Sequence, residues 1–203
     1  MRIFLYIFAV LVIITPQSVN AADPKLVKKV ERYLQSLDRL QADFTQTSPD
    51  GYQLEGVFYL NRPGRLRFDY NAIDDFVVAD GRFIYFYDSE LKSQSHAPIG
   101  ETLANFLLRE DLALSGDVSV TQAFENEDEI VLTVTQTQDP EAGALTLFFN
   151  KNEDAIALRQ WIVRDAQNNL TKVSLRNLDQ NPDLEKNLFV YHDPEGDAPV
   201  YNE

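Results

Sequence analysis

Apolar residues along this chain change their spacing several times, and each change marks a different geometry. From Ile3 to Ile14 they are nearly continuous. Beyond Asp23 they recur as Leu26, Val27, Val30, Tyr33, Leu34 and Leu37, the repeat of one helix face. Asp23-Pro24 supplies an N-cap and a proline for the first helical position, so the spacing predicts a helix from about residue 24 to Asp38. Its other face carries Lys25, Lys28, Lys29, Glu31 and Arg32, which marks a packing helix with one wet side. From residue 39 the period becomes two, and six strand-like runs follow at roughly 39–48, 52–62, 65–71, 75–80, 82–88 and 91–97. Turn residues separate them, and Asp80-Gly81 is the clearest hairpin signal because a tight turn there needs the positive φ that Asp and Gly tolerate.

The stretch PIGETLANFLLREDLALSG, residues 98–116, interrupts this rhythm with Leu103, Phe106, Leu107 and Leu114 at helical spacing. One or two short helices are expected there. Five more strand-like runs follow at roughly 117–124, 129–137, 143–150, 155–165 and 169–178. Leu184, Leu188 and Phe189 offer an anchor for the tail, with polar and proline-bearing residues beyond them that are expected to fray. Six strands, a helical break and five strands make a mainly β chain with helices, an α+β arrangement of about eleven antiparallel strands in one sheet that must curl or close.

Composition narrows the classes. The apolar run at the front follows one basic residue and precedes Val19 and Ala21, small residues spaced for cleavage, so residues 1–21 read as a secretory signal peptide and 22–203 as a single domain. The run is short for a membrane span. There is no cysteine, which excludes disulfides, thiol nucleophiles, thiolate metal sites and a lipid-modified N-terminal cysteine. A formal charge of −14 disfavours nucleic acid and anionic lipid surfaces as partners. His96 and His192 stand in no metal-ligand spacing, and phosphate-binding glycine loops, nucleophile turns and zinc-protease patterns do not occur. No cofactor, metal or enzyme activity is expected.

The unusual feature is aromatic. Phe58, Tyr59, Phe68, Tyr70, Phe76, Phe83, Tyr85, Phe86 and Tyr87 crowd into residues 58–88, which makes both faces of several strands apolar although a half-solvated sheet needs only one. A thick core under packed helices is one reading. An internal apolar cavity in a curled sheet is the other, and a cavity of that kind suits a lipid.

The segments LQADFTQT, GVFYLNRPGRLRFDY, VVADGRFIYFYDSEL, TLANFLL and WIVRDAQNNLTKVSLRNLDQNPDLEKNLFVYHDPEG resemble, in order and spacing, the outer-membrane lipoprotein carrier protein family (LolA). Phe44 and Gln46, the Arg-Pro-Gly at 62–64, the Asp-Gly at 80–81 and the ending from Asn181 to Pro194 carry the resemblance most specifically. It implies an unclosed antiparallel β-barrel of about eleven strands with a helical lid over an apolar cavity. It also implies a monomeric periplasmic carrier that takes acylated lipoprotein cargo from an ATP-driven inner-membrane exporter and delivers it to an outer-membrane acceptor or receptor.

Strand alternation then nominates residues. Phe58, Leu60 and Arg62 share one face of their strand. The resemblance matches Arg62 to an arginine that is hydrogen-bonded to the lid helices when the carrier is empty, so Arg62 is the candidate lid latch. Leu66, Phe68 and Tyr70 join Phe58 and Leu60 as candidate acyl-chain wall, together with Phe83, Tyr85 and Tyr87, for which the opposite parity, Ile84 and Phe86, stays open. Leu103, Phe106 and Leu107 are the candidate underside of the lid, and Trp161 is expected in the core or barrel wall. A periplasmic sensor or chaperone of similar shape for another apolar ligand, and a secreted hydrolase using acidic residues, are the rival readings.

Overall fold

The computed structural model describes residues 22–102, 104–152, 155–185 and 187–196. The apolar leader and Leu103 lie outside the described residues. Helix α1 spans Pro24–Gln35, begun by Asp23, whose Oδ1 accepts the Lys25 amide at 2.9 Å. Six strands follow, β1 (Arg39–Thr47), β2 (Gln53–Asn61), β3 (Arg65–Tyr70), β4 (Phe76–Asp80), β5 (Phe83–Asp88) and β6 (Ser93–Pro98). A 3₁₀ turn at Ile99–Glu101 and the short helix α2 (Ala104–Leu108) form the break. Then come β7 (Val118–Glu125), β8 (Glu129–Gln136), β9 (Gly143–Asn152), β10 (Ala155–Asp165) and β11 (Leu170–Asp179).

All eleven strands belong to one antiparallel sheet in the order β6-β5-β4-β3-β2-β1-β11-β10-β9-β8-β7. Strands within each run of six or five pair with their chain neighbours, and β1 pairing with β11 joins the two halves. The sheet ends at β6 and β7 without closing. It curls enough that inward side chains from distant strands meet in one core: Leu40 and Phe44 of β1, Phe58 of β2, Ile130 and Leu132 of β8, Phe149 of β9 and Val173 of β11. The helix α1 lays Leu26, Val30 and Leu34 onto this concave face.

Tight approach inside the sheet explains one glycine. A Cβ on Gly56 would stand 1.9 Å from the Asp69 carbonyl oxygen and 2.7 Å from Cε1 of the Phe44 ring. The Phe44 ring therefore lies over β2 where a side chain would otherwise project.

The tail gives the aromatic surplus a second cause. Beyond Phe189, which is buried, the chain does not fray at once but crosses the convex side of β3, β4 and β5. Tyr191 stacks on Tyr85 with centroids 4.4 Å apart and packs against Phe76 at 5.9 Å. Arg67 donates to the Leu188 carbonyl at 3.3 Å, and the Tyr87 hydroxyl donates to Glu195 at 2.9 Å. The convex face of these strands is thus covered in part by the tail, and the concave one by the core around Leu66, Ala79 and Ile84.

Two outcomes follow from this packing. Gly56→Ala should lower stability by about 3 kcal/mol, because the backbone of β3 and the Phe44 ring must both give way; an unchanged urea midpoint would contradict that contact. The hydrogen bond to Glu195 chiefly, with desolvation and neighbouring carboxylates, pushes the Tyr87 hydroxyl up to about 12 from 10.0. The contribution of this bond is therefore complete below pH 10 and is lost as the pH rises through about 12. In an ultraviolet phenolate titration, Glu195→Gln should move one late-ionising tyrosine back toward the ordinary range.

Candidate functional site

Between the helices and the concave face lies a small apolar cavity. Phe58 and Leu60 of β2, Leu66 of β3, Leu40 of β1 and Leu158 and Trp161 of β10 form its floor, while Leu34 and Leu37 at the end of α1 and Leu107 of α2 close it from above. Its volume is about 20 Å³, room for roughly a single water. The helices have filled the space with their own side chains. An acyl chain fits only if they move away.

Arg62 sits at the rim of this cavity. Its Nη1 donates to the Leu34 carbonyl at 2.7 Å, and its own amide donates to the Asp38 carbonyl at 2.8 Å. The Leu34 carbonyl belongs to the last turn of α1, where it also accepts the Leu37 amide at 3.3 Å and the helix dipole is negative, so a guanidinium is favoured there. Burial lowers the Arg62 pKa from its usual value, opposed by the charge of Asp38. Nε is buried with no partner among the described residues, so the arginine is held by fewer bonds than it can make. Two residues on, the Gly64 amide donates to the Leu108 carbonyl at 2.7 Å, at the end of α2. The turn after β2 therefore holds both helices, α1 through the Arg62 side chain and α2 through backbone.

The cover is also tied to itself. Gln35 donates to the Leu112 carbonyl at 2.8 Å, and Glu31 accepts the Leu114 amide at 2.7 Å, which binds α1 to the segment after α2. On the far side, the Tyr33 hydroxyl accepts the Leu158 amide at 2.8 Å, and its ring meets Phe149 edge-on at 5.6 Å.

The structure places the sequence-nominated residues in three groups. Phe58, Leu60, Leu66 and Leu107 line the closed cavity with Arg62 at its rim. Phe68 and Tyr70 share the concave face but stand beside it: Phe58 to Phe68, Phe68 to Phe44 and Phe44 to Tyr70 form a row of rings with centroids 4.7, 5.1 and 5.3 Å apart. Beyond this partition an open groove of about 380 Å³ begins, with Tyr70 on its wall donating to Gln46 at 3.0 Å. Phe106 is buried, and it faces a different hollow of about 190 Å³ bounded by Val118, Val134 and Leu145.

Phe83, Tyr85 and Tyr87 do not face the cavity. The pairing of Leu66 with Ala79 and of Ala79 with Ile84 carries the concave face onto Ile84 and Phe86, so the three rings lie on the convex side, where the tail meets Tyr85 and Tyr87 and Phe83 packs against His96. Aromatic density alone cannot distinguish a wall facing a cavity from one facing a strap; Tyr191, far along the chain, was the available signal. Trp161, expected in the core or wall, lines the cavity itself, 5.4 Å from Phe58. Leu158 and Trp161 are three apart and would face opposite ways in a regular strand. A register shift between Leu158 and Gln160 turns both inward.

Comparison with known proteins adds kinship to this geometry. The family described as "Outer membrane lipoprotein carrier protein LolA" matches residues 35–192. The chain is 25% identical over 202 residues to an outer-membrane lipoprotein carrier protein of Nitrosomonas europaea, covering 95% of each chain. It is 28% identical over 180 residues to one from Chromohalobacter salexigens, covering 83% of each. Among solved structures, a DUF1329 family protein from Desulfovibrio piger superposes with a TM-score of 0.51 at 12% identity, over 82% of this chain and 98% of that one, a likeness of fold alone.

Trp161 is the only tryptophan, so it reports on the cavity directly. A brominated acyl probe should quench its fluorescence only as fast as the helices open. Losing the charge-assisted bond to Leu34 should make quenching in Arg62→Leu about tenfold faster. Equal rates in both proteins would show that Arg62 does not hold the cover shut.

Proposed function

The chain belongs to the outer membrane lipoprotein carrier protein LolA family, and on that premise we propose that it carries acylated lipoproteins across the periplasm. In this reading it receives cargo from an ATP-driven exporter in the inner membrane, shelters the acyl chains against its concave face, and hands them to an outer-membrane acceptor. The observation that carries the proposal is the apolar cavity, already collapsed to about 20 Å³ beneath a cover that one arginine side chain ties down at the end of α1. Such a site is stable when empty and can be opened.

The energetics favour a carrier with this design. At about 0.8 kcal/mol per methylene, exposing three chains of about fifteen methylenes costs on the order of 35 kcal/mol. Free lipid in water is excluded as an intermediate. Transfer must pass from one apolar surface to another, with the energy for loading supplied upstream by the exporter. Among the described residues no helix is long and apolar enough to cross a membrane. The reading assigns no catalytic residue.

Within this scheme the acyl chains displace α1 and α2, and closure of the empty carrier returns Arg62 to the Leu34 carbonyl. That bond is made only in the empty state, so it biases the equilibrium toward release.

The test is transfer itself. Purified protein is incubated with proteoliposomes holding a lipoprotein and its exporter, and the soluble fraction is assayed for cargo. A soluble one-to-one complex is expected. Arg62→Leu should load but deliver cargo to outer-membrane vesicles roughly tenfold more slowly, because the closing bond is gone. No soluble cargo beside a working exporter would move the function to sensing or chaperoning another apolar ligand.

A further inference from the structure

The sheet has two edges, and they are built differently. Strand β7 carries a bulge between Val120 and Gln122, lies against α1, and ends in Glu125, which pairs with Lys29 and Lys151. Bulges, charges and cover are the usual means of keeping a sheet edge from pairing with another chain. Strand β6 has none of them. Its sequence SQSHAP contains no charged residue, its register with β5 is regular from Phe83↔Pro98 to Asp88↔Ser93, and every residue but Ala97 is exposed. Among the described residues its outer side pairs with nothing.

The open groove of about 380 Å³ runs beside this edge. Three consecutive residues of β6, Ser93, Gln94 and Ser95, line it, so the backbone as well as the side chains are presented to it. Beside them stands Phe86, the cross-strand partner of Ser95 and 44% exposed, with Val77 and then Gln46 farther across the groove. The groove and the closed cavity are two parts of one concave face, divided by the rings of Phe68, Phe44 and Tyr70.

We propose that β6 pairs with the polypeptide that follows the acylated residue of the cargo, held in the groove as a twelfth, extended strand. The proposal rests on the carrier reading. Acyl chains lodged beneath the helices leave their attached peptide at the border of the cavity, and the groove continues the same face to β6. Pairing through main-chain amides and carbonyls is indifferent to sequence, as a carrier of different lipoproteins requires. Ser93, Gln94, Ser95 and Gln46 offer neutral polar side chains to the peptide, while Asp75 and Asp88, the two carboxylates of the groove, already accept from Ser89 and from the Leu91 amide. Six residues of β6 match about 20 Å of extended peptide.

Hydrogen–deuterium exchange of the purified protein tests this with three probes. Each is a tripalmitoylated cysteine; one carries an uncharged polar hexapeptide, one a single residue, and one the same hexapeptide N-methylated at alternate positions. Only the first should slow exchange at residues 93–97, about tenfold, while all three alter exchange in β2, β3 and the segment after α2. Changes at the cavity with β6 unaffected by the hexapeptide would overturn the added strand and leave the carrier intact. No change anywhere would sink both. Protection of β6 that appears with protein concentration alone would assign the edge to a second copy of the chain and overturn the proposal.

Discussion

A sheet that curls without closing leaves a trough of apolar side chains that its own strands cannot shield from water. Eleven strands direct one face of their alternating residues into this trough, and burial of that surface is the dominant favourable term in folding. Something outside the sheet must lie on it. Here α1, α2 and the segment between α2 and β7 do so, and the shape of the cavity is set by how closely they settle. A cover that packed perfectly and was bonded throughout would be permanent. This one is bonded at few points, and at its rim the half-buried Arg62 guanidinium keeps its Nε without a partner among the described residues.

In the proposed cycle the polar contacts of the cover would let it be both closed and removable. A hydrogen bond from a charged donor to a carbonyl is worth about 1.5–3 kcal/mol, less than the burial of a few leucines. Packing thus supplies the bulk of the cover's stability, and the Arg62 bond to the Leu34 carbonyl supplies a smaller, directional part. The aromatic row from Phe58 to Tyr70 plays a different role. Its Phe68–Phe44 and Phe44–Tyr70 contacts are edge-to-face and Phe58–Phe68 is tilted, and the row stands at the boundary between the closed cavity and the open groove.

Much of the strand layout was legible because a period of two, interrupted by turn residues, has few physical alternatives. The expected runs at 65–71, 82–88 and 155–165 fall within a residue or so of β3, β5 and β10. The placement of Arg62 beside Phe58 and Leu60 was legible for the same reason, since all three share a parity on β2 and its continuation. Parity across a hairpin was not. Whether Phe83 or Ile84 faced inward depended on the register of β4 against β5, and the sequence contains aromatic residues in both sets. The bulge that turns Leu158 and Trp161 to the same side leaves no local signature, and the partner of Arg62 on α1 depends on how the helix lies across the sheet.

The fastenings of α1 are unequal on its two sides. Toward β7 to β10 it is held by Lys29 on Glu125, by Tyr33 on the Leu158 amide and by the Tyr33 ring against Phe149. Toward β2 its side of the cavity is caught by Arg62 on the Leu34 carbonyl. In the proposed carrier cycle the helix would be a door hung on one jamb and latched at the other. Because the hinge side is the half of the sheet that carries β10, a door swinging free would sweep past Trp161 last, and the first gap would open along β2, beside Leu60 and Leu66.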